Sequence, residues 1–134
     1  MKTESRIMPF ANATRLLSLI LPLFAVQQAG AQEAGGDPMA GEALWPRCAG
    51  CHALTEPRNG AGPHLVGLLG REAGSVEEFR YSPALADSDI VWDAESLRAY
   101  ILDARTVVPG TRKAGVLTDT QDVADVVAFL LQSE

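Results

Sequence analysis

Two cysteines, Cys48 and Cys51, flank Ala49-Gly50 and are followed at once by His52; the chain has no third cysteine. A C-x-x-C-H run is a haem attachment sequence. Its two thiols add to the two vinyl groups on one edge of the macrocycle, and the next side chain, an imidazole, lands under the iron. Other chemistries use only part of the pattern. A bare C-x-x-C suits a redox dithiol, a short-loop disulfide or half of a zinc site. Zinc would need further ligands, and beyond the carboxylates only His52 and His64 are on offer. A thioredoxin-like dithiol would want alternating strands around it, and no such pattern is present. Covalent haem c, one per chain, is the reading that uses all three residues.

Three helical segments separated by loops must position this motif. Asp37 is placed to cap a first helix with Pro38 at its first position, running through Ala40, Ala43 and Leu44. Pro46 should end or kink it just before the thiols. From Ala53 to Pro83 the chain is rich in Gly and Pro and holds no sustained period, which predicts loops wrapped on something large. Asp93 opens a second helix with Leu97, Tyr100, Ile101 and Ala104 on one face. The third begins at a capping box, Thr118-x-x-Gln121, and continues through Val123, Val126, Val127, Leu130 and Leu131. Asp87 and Asp89 read as turn residues, and no strand is expected.

The first thirty-one residues read as an export signal. Lys2, Arg6 and Arg15 form a basic start, Leu16 to Val26 an apolar stretch interrupted by Pro22, and Ala29-Gly30-Ala31 a small-residue cleavage site. The apolar stretch is well short of the ~20 residues a membrane span needs. Residues 1–31 are therefore expected to be a cleavable secretory signal and residues 32–134 a single exported domain without stable membrane insertion, a bacterial periplasm being the compartment that suits thioether attachment. The mature part carries 8 Lys and Arg against 16 Asp and Glu, a net charge of −8. Such a surface argues against nucleic acid and anionic membrane, and favours a redox partner that is neutral or basic where it docks. A domain this small has a lean side-chain core, which a buried porphyrin would fill out.

Beyond the motif, the chain resembles class I cytochrome c in a series of segments. They are Gly41-Glu42-Ala43-Leu44, Gly62-Pro63-His64-Leu65-Val66-Gly67-Leu68-Leu69-Gly70-Arg71, Phe79-Arg80-Tyr81-Ser82, Trp92, Tyr100, Val108-Pro109-Gly110-Thr111 and Asp125-Val126-Val127-Ala128-Phe129-Leu130. The resemblance implies an all-α fold of three main helices with loops around the haem, and a monomeric electron carrier rather than an enzyme. It also implies thioethers at Cys48 and Cys51, His52 as proximal ligand, and a Pro63 carbonyl bonded to the other ring nitrogen of His52. Arg71, Tyr81, Trp92 and Thr111 fall where family members hydrogen-bond the buried propionates.

One position departs from the family. Its members carry a distal methionine shortly after Pro-Gly-Thr, whereas this chain reads Pro109-Gly110-Thr111-Arg112-Lys113-Ala114-Gly115. Lys113 stands at the methionine's place and is the single lysine of the mature part. The one methionine left there, Met39, is at the wrong end of the domain. A neutral amine can bind iron, an arginine cannot usefully do so. Tyr100 lies at the family's distal-pocket position, where it could orient the ligand. Because the segment after Thr111 is about two residues short, an open or water-bound iron stands beside lysine ligation, with His64 a third option. An open site would suit a haem protein that binds or senses NO, CO, peroxide or sulfide.

Overall fold

In the computed structural model, residues 35–133 are described. The expected export signal, residues 1–31, lies outside them.

Helix α1 is Pro38–Leu44; the Asp37 side chain accepts from the Met39 N–H at 2.9 Å, and Pro38 occupies the first turn, where a missing N–H costs nothing. Pro46 does more than end that helix. It starts a second helical turn, α2 (Pro46–Ala49), which delivers Cys48 to the site. Helix α3 (Pro83–Ala86) is a further single turn, capped by Ser82 and closed by Asp87. Helix α4 (Ala94–Leu102) begins at a reciprocal box in which Asp93 accepts from the Ser96 N–H and Ser96 accepts from the Asp93 N–H. It ends earlier than the apolar spacing suggests, because Asp103 caps a separate turn, α5 (Ala104–Val107). Helix α6 spans Thr120–Gln132. Its cap is not Thr118 but Asp119, whose carboxylate accepts from the N–H groups of both Gln121 and Asp122. One carboxylate oxygen thereby takes two of the donors left unpaired at the helix start, and the negative charge suits the positive helix end.

The first and last helices cross in tight contact. A Cβ on Gly41 would run into the backbone carbonyl of Asp125, so only glycine lets the two backbones approach this closely. Trp45 and Phe129 pack beside the crossing with ring centroids 5.9 Å apart. Asp125 is buried, yet its Oδ1 accepts from the Asp37 N–H and the Gln121 side chain, each at 2.7 Å, so the carboxylate ties the start of α1 to α6. The apolar face of α6, Val123, Val126, Val127 and Leu130, is buried against Leu97 and Tyr100 of α4 together with Leu68, Trp92, Val108 and Leu117. Each such side chain is worth about 1.5–3 kcal/mol on burial.

Between α2 and α4 the chain forms loops rather than sheet. Isolated bridges join His52 to Asn59 and Glu72 to Val91, and no strand occurs among the described residues. No helix among them is long and apolar enough to cross a membrane.

Candidate functional site

Helix α2 carries Cys48 and ends at Ala49, inside the thiol-imidazole set. Cys51 and His52 both donate their N–H to the Cys48 carbonyl, at 3.0 Å, so the three reactive residues wind around one turn. Both thiols are free; Cys48 is half-buried and Cys51 exposed.

His52 is held on two sides. Its Nδ1 lies 2.7 Å from the Pro63 carbonyl, which requires the proton to sit on Nδ1 and leaves Nε2 as a lone-pair donor. The ring also rests against Gly62, where a Cβ would overlap Cε1, Nδ1 and Nε2. Burial lowers the imidazole below the usual histidine range, the Pro63 bond works against that, and the positive charge of Lys113 adds to it. A neutral ring is the form that can bind a metal. The loop carrying Pro63 is itself braced. Arg71 donates to the Val66 carbonyl at 2.7 Å and the His64 carbonyl at 3.0 Å, while Asn59 accepts from the His64 N–H and donates to the Glu77 carbonyl.

A second group gathers around Tyr100. Its hydroxyl and that of Thr111 are 2.7 Å apart in the interior, and the Trp92 ring lies 5.1 Å away between centroids. Burial raises the Tyr100 phenol, with the Thr111 bond opposing, so the phenol keeps its proton. Tyr81 is likewise raised by burial, against a backbone bond from Val76 and the Arg71 charge, and its ring meets Phe79 edge-on at 4.8 Å. Lys113 is partly buried, its ammonium 5.6 Å above the Tyr100 ring. Burial pulls the amine below the ordinary lysine value, and the Cys48 thiol pulls the other way. Conversely, burial raises the Cys48 thiol, while Lys113 and then Arg47 draw it down. Lys113 thus stands in the electrostatic field of both Cys48 and His52.

The other expected ligand positions fall elsewhere. Met39 is 79% exposed on α1. His64 has a buried Nδ1 without a hydrogen-bond partner, but its backbone belongs to the braced loop on the Pro63 side. Sequence reasoning gave no role to Gly62 or Asn59. The Gly62-Pro63 pair was the available signal, although nothing in it tells which ring the glycine admits.

The donor set fits haem c. It comprises two free thiols on one turn and an oriented imidazole whose Nε2 has no hydrogen bond among the described residues. No family model matches the chain. Individual relatives do. The chain is 38% identical over 117 residues to cytochrome c2 of Blastochloris viridis, covering 85% of this chain and 91% of the relative. It is 42% identical over 89 residues to cytochrome c-550 of Nitrobacter winogradskyi, covering 64% and 82%. Among solved structures it is similar to cytochrome cH from Methylobacterium extorquens, with a TM-score of 0.66 and 34% identity, covering 72% of this chain and 99% of that one.

Proposed function

The chain belongs to the class I cytochrome c family, and from that premise we propose the two residues that bind its iron: His52 on the proximal side and Lys113 on the distal side. It is a c-type cytochrome, an electron carrier with covalently attached haem c. When bound, the haem supplies a one-electron ferric–ferrous couple. The side chains do the rest. Cys48 and Cys51 anchor it, and the Pro63 carbonyl keeps His52 in the tautomer that presents Nε2 and makes the ring a stronger donor. Gly62 supplies the flat surface that lets the ring seat there. Tyr81, Trp92 and Thr111, with Arg71 behind them, are the polar groups available to buried propionates. Arg71 also holds the His52 loop in place through the carbonyls of Val66 and His64.

One observation carries the distal assignment: the Lys113 side chain is partly buried, with its ammonium 5.6 Å from the centroid of the Tyr100 ring. Burial also favours the neutral amine, the form that coordinates. Compared with a thioether, an amine is a harder donor and favours ferric iron, so the couple lies lower than in a methionine-ligated relative.

The protein works as an exported, periplasmic monomer that passes electrons to a partner whose docking face is neutral or basic. The basic start, apolar stretch and small-residue site of residues 1–31 support export, and the net charge of −8 supports the partner's character.

Optical and electron paramagnetic resonance spectra of the ferric holoprotein test the ligand. The wild type is expected to be low-spin, Lys113→Ala high-spin, and Lys113→Met low-spin with a raised reduction potential. A high-spin wild type unchanged by Lys113→Ala would defeat lysine ligation and put small-molecule binding first.

A further inference from the structure

Lys113 sits in a segment with little to hold it. Among the described residues, residues 112–118 make no backbone-to-backbone hydrogen bond to any other part of the chain. Arg112, Ala114, Gly115 and Val116 are exposed, and the next firm anchor is buried Leu117. The polar contacts of Lys113 are local: Nζ to the Ala114 carbonyl at 3.2 Å and its N–H to Thr111 Oγ1 at 3.4 Å. One hydrogen bond crosses from this segment to a distant one. The Arg112 Nη2 donates to the Arg80 carbonyl at 2.7 Å, spanning thirty-two positions. Its acceptor is well fixed, since Arg80 lies between the packed rings of Phe79 and Tyr81 and is followed two residues on by buried Ser82.

We infer that Arg112 is a positioning residue: its bond to the Arg80 carbonyl holds residues 112–118 closed, keeps Lys113 at the distal site, and limits how readily a small outside donor displaces it. The inference rests on the reading of Lys113 as distal ligand. On this inference the short segment, pinned at Thr111 and Leu117, has two arrangements, one with the tether made, as seen here, and one with it broken. The outside donor binds only the open one, so its apparent affinity scales with the open fraction. Removing a charge-assisted tether raises that fraction without touching the iron's own ligands.

Imidazole binding to the ferric holoprotein, followed optically, tests this in wild type, Arg112→Ala, Arg112→Gln, Arg112→Lys and Lys113→Ala. Arg112→Ala and Arg112→Gln should bind imidazole about tenfold more tightly than wild type, as expected for loss of one hydrogen bond to a charged group. Their thermal midpoints should stay near that of wild type, because the site is exposed. Arg112→Lys, which keeps a cationic donor, should restore most of the wild-type affinity, and Arg112→Lys combined with Lys113→Ala should be high-spin, because the new amine holds the Arg80 carbonyl and not the iron. Unchanged imidazole affinity in Arg112→Ala and Arg112→Gln, or failure of Arg112→Lys to restore it, overturns the positioning role. Lys113→Ala separates the two ideas: if its spin state and imidazole affinity match wild type, lysine ligation fails, whatever the Arg112 variants do.

Discussion

Gly62 shows how much one missing side chain does here. His52 could bind iron from many ring orientations, but the Pro63 carbonyl and the bare face of Gly62 leave it one. In Gly62→Ala the added methyl overlaps three ring atoms, and the neighbouring Pro63 denies the loop an easy retreat. Overpacking of this kind costs about 1–3 kcal/mol. We expect the ferric holoprotein of Gly62→Ala to be destabilised by that amount in a denaturant titration and its absorption spectrum to show a weakened histidine bond. A variant with wild-type stability and spectrum would mean that the loop simply moves aside. The roles proposed for Lys113 and Arg112 belong to the same scale, the former resting on its donor atom and the latter on one bond to a carbonyl 32 residues away.

Among the described residues, aspartates start four of the six helical segments: Asp37, Asp93, Asp103 and Asp119 each accept from N–H groups of the first turn. The charge complements the positive helix end as well as filling an unpaired donor. Bonds from Ser96 hold the Asp93 carboxyl below the usual carboxylate value, and those from Thr106 do the same for Asp103. A carboxyl with a lowered folded-state pKa stabilises the fold fully above its unfolded pKa, and that contribution disappears as pH falls through the folded value. Asp93→Ala should therefore lower the thermal midpoint at pH 7, and its difference from wild type should shrink at the acid end, below both pKa values, to what a neutral cap contributes. Asp93→Asn, which still caps, should stay closer to wild type at pH 7 than the alanine variant. Equal differences between Asp93→Ala and wild type at neutral and strongly acidic pH would contradict this account of α4.

As a whole, the molecule is built for a group that its side chains surround. The loops from residue 50 to 82 contain no α-helix and no strand, and their order comes from isolated bonds such as those of Asn59 and Arg71. A loop-rich domain of this size gains much of its interior from the porphyrin. Replacing both thiols, Cys48→Ser with Cys51→Ser, should abolish a stable holoprotein, visible as loss of covalent haem on a denaturing gel and of cooperative unfolding. Recovery of an equally stable, haem-loaded double mutant would refute the role given to the motif. With a net charge of −8 over residues 32–134, association with a basic redox partner should weaken as salt rises.

Family and cofactor were legible in the chain because they depend on local spacing: C-x-x-C-H within one turn, Pro-Gly-Thr within one loop, and an apolar period along α4 and α6. The starts of α1 and α4 were legible for the same reason, since a cap and its first turn are neighbours in sequence. Thr118 misled because two adjacent residues could cap α6, and which of them does so depends on where the backbone turns into the helix. Counting from Pro109 put Lys113 where the family's methionine is expected, but nothing in the sequence brings the amine over Tyr100. That contact, the Gly62 seat beneath His52, the Asp125 tie between α1 and α6 and the Arg112 tether all join residues far apart in the chain. Tertiary structure alone decides them, because loop paths and helix crossings, rather than local preference, bring such partners within bonding distance.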